Sequence, residues 1–184
     1  MSTAFYITFG ICAVIIGIFD FLFYRIPNLF VLVLIGLFLG MSLALGNDKF
    51  FLVAGITGII TLISCYLFYI FGWLGAGDVK FIFAASLWAS HVNSLIFFVS
   101  VSLAGGILAL IYINFSAYID QARLFLISFL GKHLKNNQFF RHYSEAPFIY
   151  ATTVPARETK IPYGVAVAMG CLLITYLTLF GHVI

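Results

Sequence analysis

Apolar residues run along this chain in long unbroken stretches, separated by a few short polar turns. The first stretch extends from Ala4 to about Phe23 and carries Asp20 near its end. A membrane-spanning helix needs about 20 predominantly apolar residues, so this stretch predicts one. Arg25-Ile26-Pro27-Asn28 then reads as a turn, because proline resists continuing a helix and restricts the residue before it. A second helix is predicted from Leu29 to about Leu45, ended by the tight polar turn Gly46-Asn47-Asp48-Lys49. The third runs from about Phe50 to Phe71, and the segment from Gly72 to Gly77 breaks it.

From Phe81 to Ile119 there is no Asp, Glu, Lys or Arg. At about 1.5 Å per residue, one helix of that length would be roughly twice the hydrocarbon thickness of a bilayer. The stretch must fold back, and Ser90-His91-Val92-Asn93-Ser94 is the obvious turn. This divides it into a short fourth helix from Val79 to Ala89 and a fifth from Leu95 to about Phe115. A sixth helix is predicted from Ile161 to Ile184.

Between the fifth and sixth lies a more polar segment, Asp120 to Lys160, which holds six of the nine Lys and Arg residues. Within Ala122 to Lys135, the residues Leu124, Ile127, Leu130 and Leu134 recur at helical spacing, with Arg123, Lys132 and Lys135 available to the polar side. That pattern suits an amphipathic helix at the membrane surface. Residues 136–160, with Pro147 and Pro155, read as loop. The expected fold is therefore an all-α integral membrane protein. It has six transmembrane helices and a cytoplasmic amphipathic segment between helices five and six, with residues 1–184 forming one membrane-embedded domain.

Composition agrees with this reading. Hydrophobic residues make up 64% of the chain and charged residues only 8%, against about 25% charged in an ordinary soluble domain. Too little polar surface exists to face water, so the lipid bilayer is the expected solvent and partner; no nucleic-acid partner is expected. No basic region precedes the first apolar stretch and no small-x-small site follows it, so that helix is expected to be retained rather than cleaved. Cys12, Cys65 and Cys171 lie far apart in apolar runs and form no CxxC pair, so they read as packing residues.

Charge placement sets an orientation. With six alternating helices, one side receives Arg25, Lys80, Arg123, Lys132, Lys135, Arg141, Arg157 and Lys160, and the other only Lys49. The positive-inside rule then puts the N-terminus outside and the first group in the cytoplasm. Asp20 and Asp78, which played no part in that assignment, fall on the same cytoplasmic side.

These two acids are the candidate chemistry. An aspartate near the bilayer centre costs about 2.5–3.5 kcal/mol on insertion scales, and retained polar groups at membrane depth are functional candidates. The bland alternative is a pair of helix-end acids matched to nearby bases, Asp20 to Arg25 and Asp78 to Lys80. Two carboxylates brought together cannot both ionise easily and hold one proton between them. That arrangement activates water in aspartic proteases: one member takes a proton from water while the protonated member polarises the scissile carbonyl. No cofactor or metal is expected, since no histidine lies beside either acid in sequence, and His91 and His182 are predicted on the opposite side. Gly75 and Gly77 permit irregular backbone and close approach of another chain, although a plain helix-breaking turn would use them too.

The residues also carry a family resemblance. Gly75-Ala76-Gly77-Asp78-Val79-Lys80 resembles the GxGD motif of type IV prepilin peptidases and archaeal preflagellin peptidases. Asp20 followed by Arg25-Ile26-Pro27-Asn28 resembles the first catalytic site of the same family, and Ile161-Pro162-Tyr163-Gly164-Val165-Ala166 resembles the Pro-Tyr-Gly motif that opens its last helix. Three motifs in this order cover nearly the whole chain.

The resemblance implies removal of the short basic leader of prepilin-like proteins at the cytoplasmic face of the inner (plasma) membrane. Asp20 and Asp78 would be the catalytic pair, and Gly75, Gly77, Lys80 and Arg25 supporting or substrate-binding residues. Pilus assembly machinery is an implied partner. The paired CxxC region of the larger bifunctional members has no counterpart, so peptidase activity without N-methylation is expected, as in the short form serving tight-adherence (Flp-type) pili. Two other classes stay open from the sequence. One is a proton-coupled transporter with the two acids as a relay; the other is a non-catalytic component of a pilus or secretion assembly.

Overall fold

The computed structural model describes residues 2–46, 48–90, 92–134 and 161–181. Among them the regular structure is entirely helical: α1 (Ser2–Phe23), α2 (Asn28–Leu45), α3 (Asp48–Ile70), α4 (Ala76–Ala89), α5 (Ser94–Leu134) and α6 (Tyr163–Phe180). All but α4 are long and apolar enough to cross a membrane. The chain is thus a multi-pass helical membrane protein, as the apolar runs predict.

Helix boundaries follow the local chemistry. Pro27 in extended backbone precedes α2, and Gly46, at a φ of 58°, ends it by donating its N–H to the Ser42 carbonyl at 3.2 Å. Pro162 likewise stands immediately before α6, where its missing N–H costs nothing, although its backbone is not extended.

Two elements differ from the sequence expectation. The first is α4, whose 14 residues cover only about 21 Å. It is shorter than the five helices that are long enough by themselves to cross a membrane. Phe81, Ile82, Ala84, Ala85, Leu87, Trp88 and Ala89 are all buried, so the helix is enclosed on every face, with α2, α3 and α6 packed around it. A helix that is apolar all round belongs inside a bundle. The second is α5, in which two helices meet at a kink at Phe115, the expected end of helix five, with no gap before the amphipathic segment. Ser116 to Ala122 contains neither proline nor glycine, so nothing stops the helix there. It instead bends at Phe115, whose φ of −128° and ψ of 18° are not helical. Beyond the bend, Ile127 is buried against Leu22 and Phe23 of α1, and Leu130 packs on the same cluster. Two of the apolar positions read from the sequence, Ile127 and Leu130, thus face the end of α1, whereas Leu124 is exposed. Asn47, His91 and residues 135–160, including the expected loop, lie outside the described residues, as do 182–184.

The interior is organised around Trp88. Its ring stacks on Phe9 with centroids 4.6 Å apart and meets Tyr6 edge-on at 5.4 Å and Phe38 at 6.0 Å. Its indole N–H donates to the Leu34 carbonyl at 3.1 Å. One end of α4 is thereby fastened to α1 and α2. Elsewhere α1 lies close along α6: a Cβ on Gly17 would stand 2.9 Å from that of Ala168. Ile59, Ile60 and Ile63 of α3 point outward and are more than half exposed, as expected of side chains solvated by hydrocarbon.

Candidate active site

The buried residues of α1 form a stripe. Tyr6, Phe9, Ala13 and Ile16 recur three or four positions apart and face the core. Asp20 continues this stripe and is only 5% exposed. Its carboxylate therefore points into the bundle, where a partner is required. The partner is the first turn of α6: the Gly164 N–H donates to Asp20 Oδ2 at 2.7 Å. That distance is at the short end of the range for an N–H donating to oxygen, and the carboxylate lies at the positive end of the α6 dipole. The close fit needs glycine, because a Cβ at position 164 would lie 2.8 Å from Oδ2 and 2.9 Å from the Asp20 Cβ and Cγ.

Asp78 is placed by α4. The helix starts at Ala76, earlier than the glycines suggest, so Gly77 and Asp78 belong to its first turn. Gly75 precedes it in extended backbone and donates its N–H to Asp78 Oδ2 at 3.2 Å, the reach-back bond of a capping residue. Each carboxylate is thus held at a helix N-terminus, Asp20 from outside α6 and Asp78 from within α4.

The two acids are brought together. Both line one cavity of about 370 Å³, with Gly75, Ala76, Gly77 and Lys80 of the α4 region and Tyr24, Arg25, Ile26 and Asn28 of the α1–α2 turn. All six residues singled out in the sequence, Asp20, Arg25, Gly75, Gly77, Asp78 and Lys80, border this space. Among the described residues neither is ion-paired, since the salt bridge found there joins Arg123 to Asp120. The expected bland pairing of each acid with its neighbouring base is therefore absent from the described structure. Lys80 instead donates to Asn28 Oδ1 at 3.2 Å, tying α4 to the start of α2. Arg25 is exposed at the cavity rim.

The turn seats closely on α4. A Cβ on Gly77 would lie 3.3 Å from the Ile26 Cβ, so Ile26 rests directly on the first turn beside Asp78. Among the described residues no three His, Cys, Asp or Glu side chains converge as metal ligands would.

Sequence reasoning located the Pro162-Tyr163-Gly164 motif but not its task, which is to present the Gly164 N–H to Asp20. Ile26 and Asn28 were visible as parts of a turn and of the motif that follows Asp20, whereas Tyr24 fell between helix and turn. Arg123, buried beside Tyr24 with its guanidinium 4.2 Å from the ring centroid, carried no signal beyond its charge.

Comparison with known proteins gives one match. The model of the type IV leader peptidase family matches residues 7–110, more than half of the chain, a span that includes both Asp20 and Asp78. No curated protein and no solved structure matches it.

Proposed function

The chain belongs to the type IV leader peptidase family, and we propose that it is an aspartyl endopeptidase that removes the basic leader from prepilin-like proteins. Asp20 and Asp78 act as a pair sharing one proton. The ionised member takes a proton from water, and the resulting hydroxide attacks the scissile carbonyl. The protonated member gives its proton to the carbonyl oxygen as the carbon becomes tetrahedral and takes it back when the intermediate collapses. Collapse of that intermediate expels the amine of the mature chain, which takes up the proton gained from water.

The observation that supports this reading is the shared cavity: two carboxylates from different helices, neither ion-paired among the described residues, border one space. Gly164 and Gly75 fix one oxygen of each carboxylate, leaving the other oxygens available for water and substrate. Arg25 and Lys80 at the rim are suited to main-chain carbonyls of an extended substrate. The cavity end also carries Arg123 over Tyr24, whereas Lys49 starts α3 at the other end of α2. By the positive-inside rule the cavity then opens to the cytoplasm and the N-terminus lies outside.

A cleavage assay on a co-expressed prepilin tests this. Asp20→Asn and Asp78→Asn should each abolish processing while the protein still reaches the membrane at wild-type level. Normal processing by either variant would remove the pair from the mechanism.

A further inference from the structure

Tyr24 is the point at which the chain leaves α1 for the turn that borders the cavity. Its N–H closes the last turn of α1 onto the Asp20 carbonyl at 2.8 Å. Among the described residues it is the one non-glycine with a positive φ, 49°. L side chains rarely adopt that region, because the Cβ crowds the following carbonyl, and a residue kept there is held by its surroundings. The surroundings here are on α5. The Arg123 guanidinium lies 4.2 Å from the centre of the Tyr24 ring. On the same helix the Tyr112 hydroxyl is buried without a hydrogen-bond partner among the described residues.

Arg123 is unusual in its own right. Its side chain is 6% exposed, and its ion pair with Asp120 is long at 3.5 Å. Nε and Nη1 are buried without a hydrogen-bond partner among the described residues. A charge so enclosed is expensive unless something compensates. The face of the Tyr24 ring is its closest described compensation besides Asp120, through a cation–π contact strengthened by the loss of water.

What Tyr24 controls is the path of the turn. Two residues on, Ile26 rests on Gly77, and Asn28 accepts from Lys80. The turn therefore joins the end of α1, with Asp20, to the first turn of α4, with Asp78. We infer that Arg123 is a positioning residue: by clamping Tyr24 in its left-handed conformation, the cytoplasmic extension of α5 sets the separation of the two carboxylates.

This inference rests on the peptidase reading, and its test separates the two. Cleavage of a purified prepilin is measured for wild type, Arg123→Met, Tyr24→Leu and the double variant, each normalised to folded protein in the same detergent. Arg123→Met should lower kcat by about tenfold, the scale of a desolvated cation–π contact, and leave KM within about twofold, because substrate contacts are retained. In the Tyr24→Leu background the same change should produce no further loss, since Arg123 then has no ring to hold. A merely structural arginine would instead lower the amount of folded protein and leave kcat per folded molecule unchanged. Should Arg123→Met fail to fold, Tyr24→Leu alone must show the fall in kcat. A wild-type kcat in Arg123→Met, or an equal further loss in the Tyr24→Leu background, overturns the inference while leaving the peptidase reading intact. If the wild type cuts no prepilin, both fall.

Discussion

Replacing Gly164 by alanine adds one methyl group at the N-terminus of α6, and its effect follows from opposed terms. In a helix interior alanine is ordinarily favoured over glycine by about 0.5–1 kcal/mol. At this position the new Cβ would stand 2.8 Å from Asp20 Oδ2 and 2.9 Å from the Asp20 Cβ and Cγ. One of these atoms, the Cβ, is bonded directly to the α1 backbone and cannot swing aside. The helices cannot easily separate either, because Gly17 already lies against Ala168 one turn further along α6. Overpacking of this kind costs about 1–3 kcal/mol. Disturbing the 2.7 Å bond from Gly164 to Asp20 removes about 1.5–3 kcal/mol more, as for a hydrogen bond to a charged group. Either term exceeds the helix-propensity gain. The carboxylate is the most movable atom group, so it is pushed away from α6 and out of its present position in the cavity. A displacement of about 1 Å in a reacting group costs on the order of 10²-fold in rate. The assay is prepilin cleavage at matched membrane abundance, with thermal melting in detergent beside it. Gly36→Ala and Gly106→Ala are the controls: an added Cβ at either position meets nothing within 4 Å, so both should melt at or slightly above wild type and cleave normally. If Gly164→Ala cleaves within about threefold of wild type with unchanged melting, the contact with Asp20 does not govern catalysis.

Two further outcomes follow from the same packing. Gly77→Ala should be milder, because the Ile26 Cβ at 3.3 Å need give way only slightly; cleavage should fall by about three- to tenfold, through the turn rather than the carboxylate, and an unchanged rate would detach Ile26 from the site. Trp88→Phe loses the indole bond to the Leu34 carbonyl at 3.1 Å and some ring area, so melting should drop by the equivalent of about 1–3 kcal/mol. A wild-type melting curve would show that Trp88 is not the fastening of α4.

The apolar runs made most of the architecture legible. Five helices, their order and their ends at Pro27, Gly46 and Pro162 follow from run length and from turn chemistry that acts within a few residues. The same is true of Asp20 and Asp78 as candidates, since an acid in an apolar run stands out without any knowledge of packing. Less was legible where three-dimensional neighbours decide. An apolar run reads alike whether lipid or protein surrounds it, so the enclosure of α4 by α2, α3 and α6 had no sequence signature. The end of helix five at Phe115 coincides with the kink in α5, whereas the immediate start of the next helix was missed because polar residues such as Asp120 suggested a gap, although no helix breaker is present there. The bond from Gly164 to Asp20 spans 144 residues, and the seat of Arg123 on Tyr24 depends on how α5 crosses the end of α1. Neither can be read from spacing along the chain.

The aromatic knot around Trp88 has a mechanical consequence. Phe9 and Trp88 stack where α1 and α4 are fastened, while Asp20 and Asp78 lie toward the opposite ends of those helices. From Phe9 to Asp20 the lever arm is about 16 Å at 1.5 Å per residue. A rotation of only about 4° at the knot moves a carboxylate by about 1 Å, enough to alter rate on the order of 10²-fold. The two helices thus behave as a pair of tongs with an aromatic rivet, and the stiffness of that rivet sets how steadily the jaws are held apart.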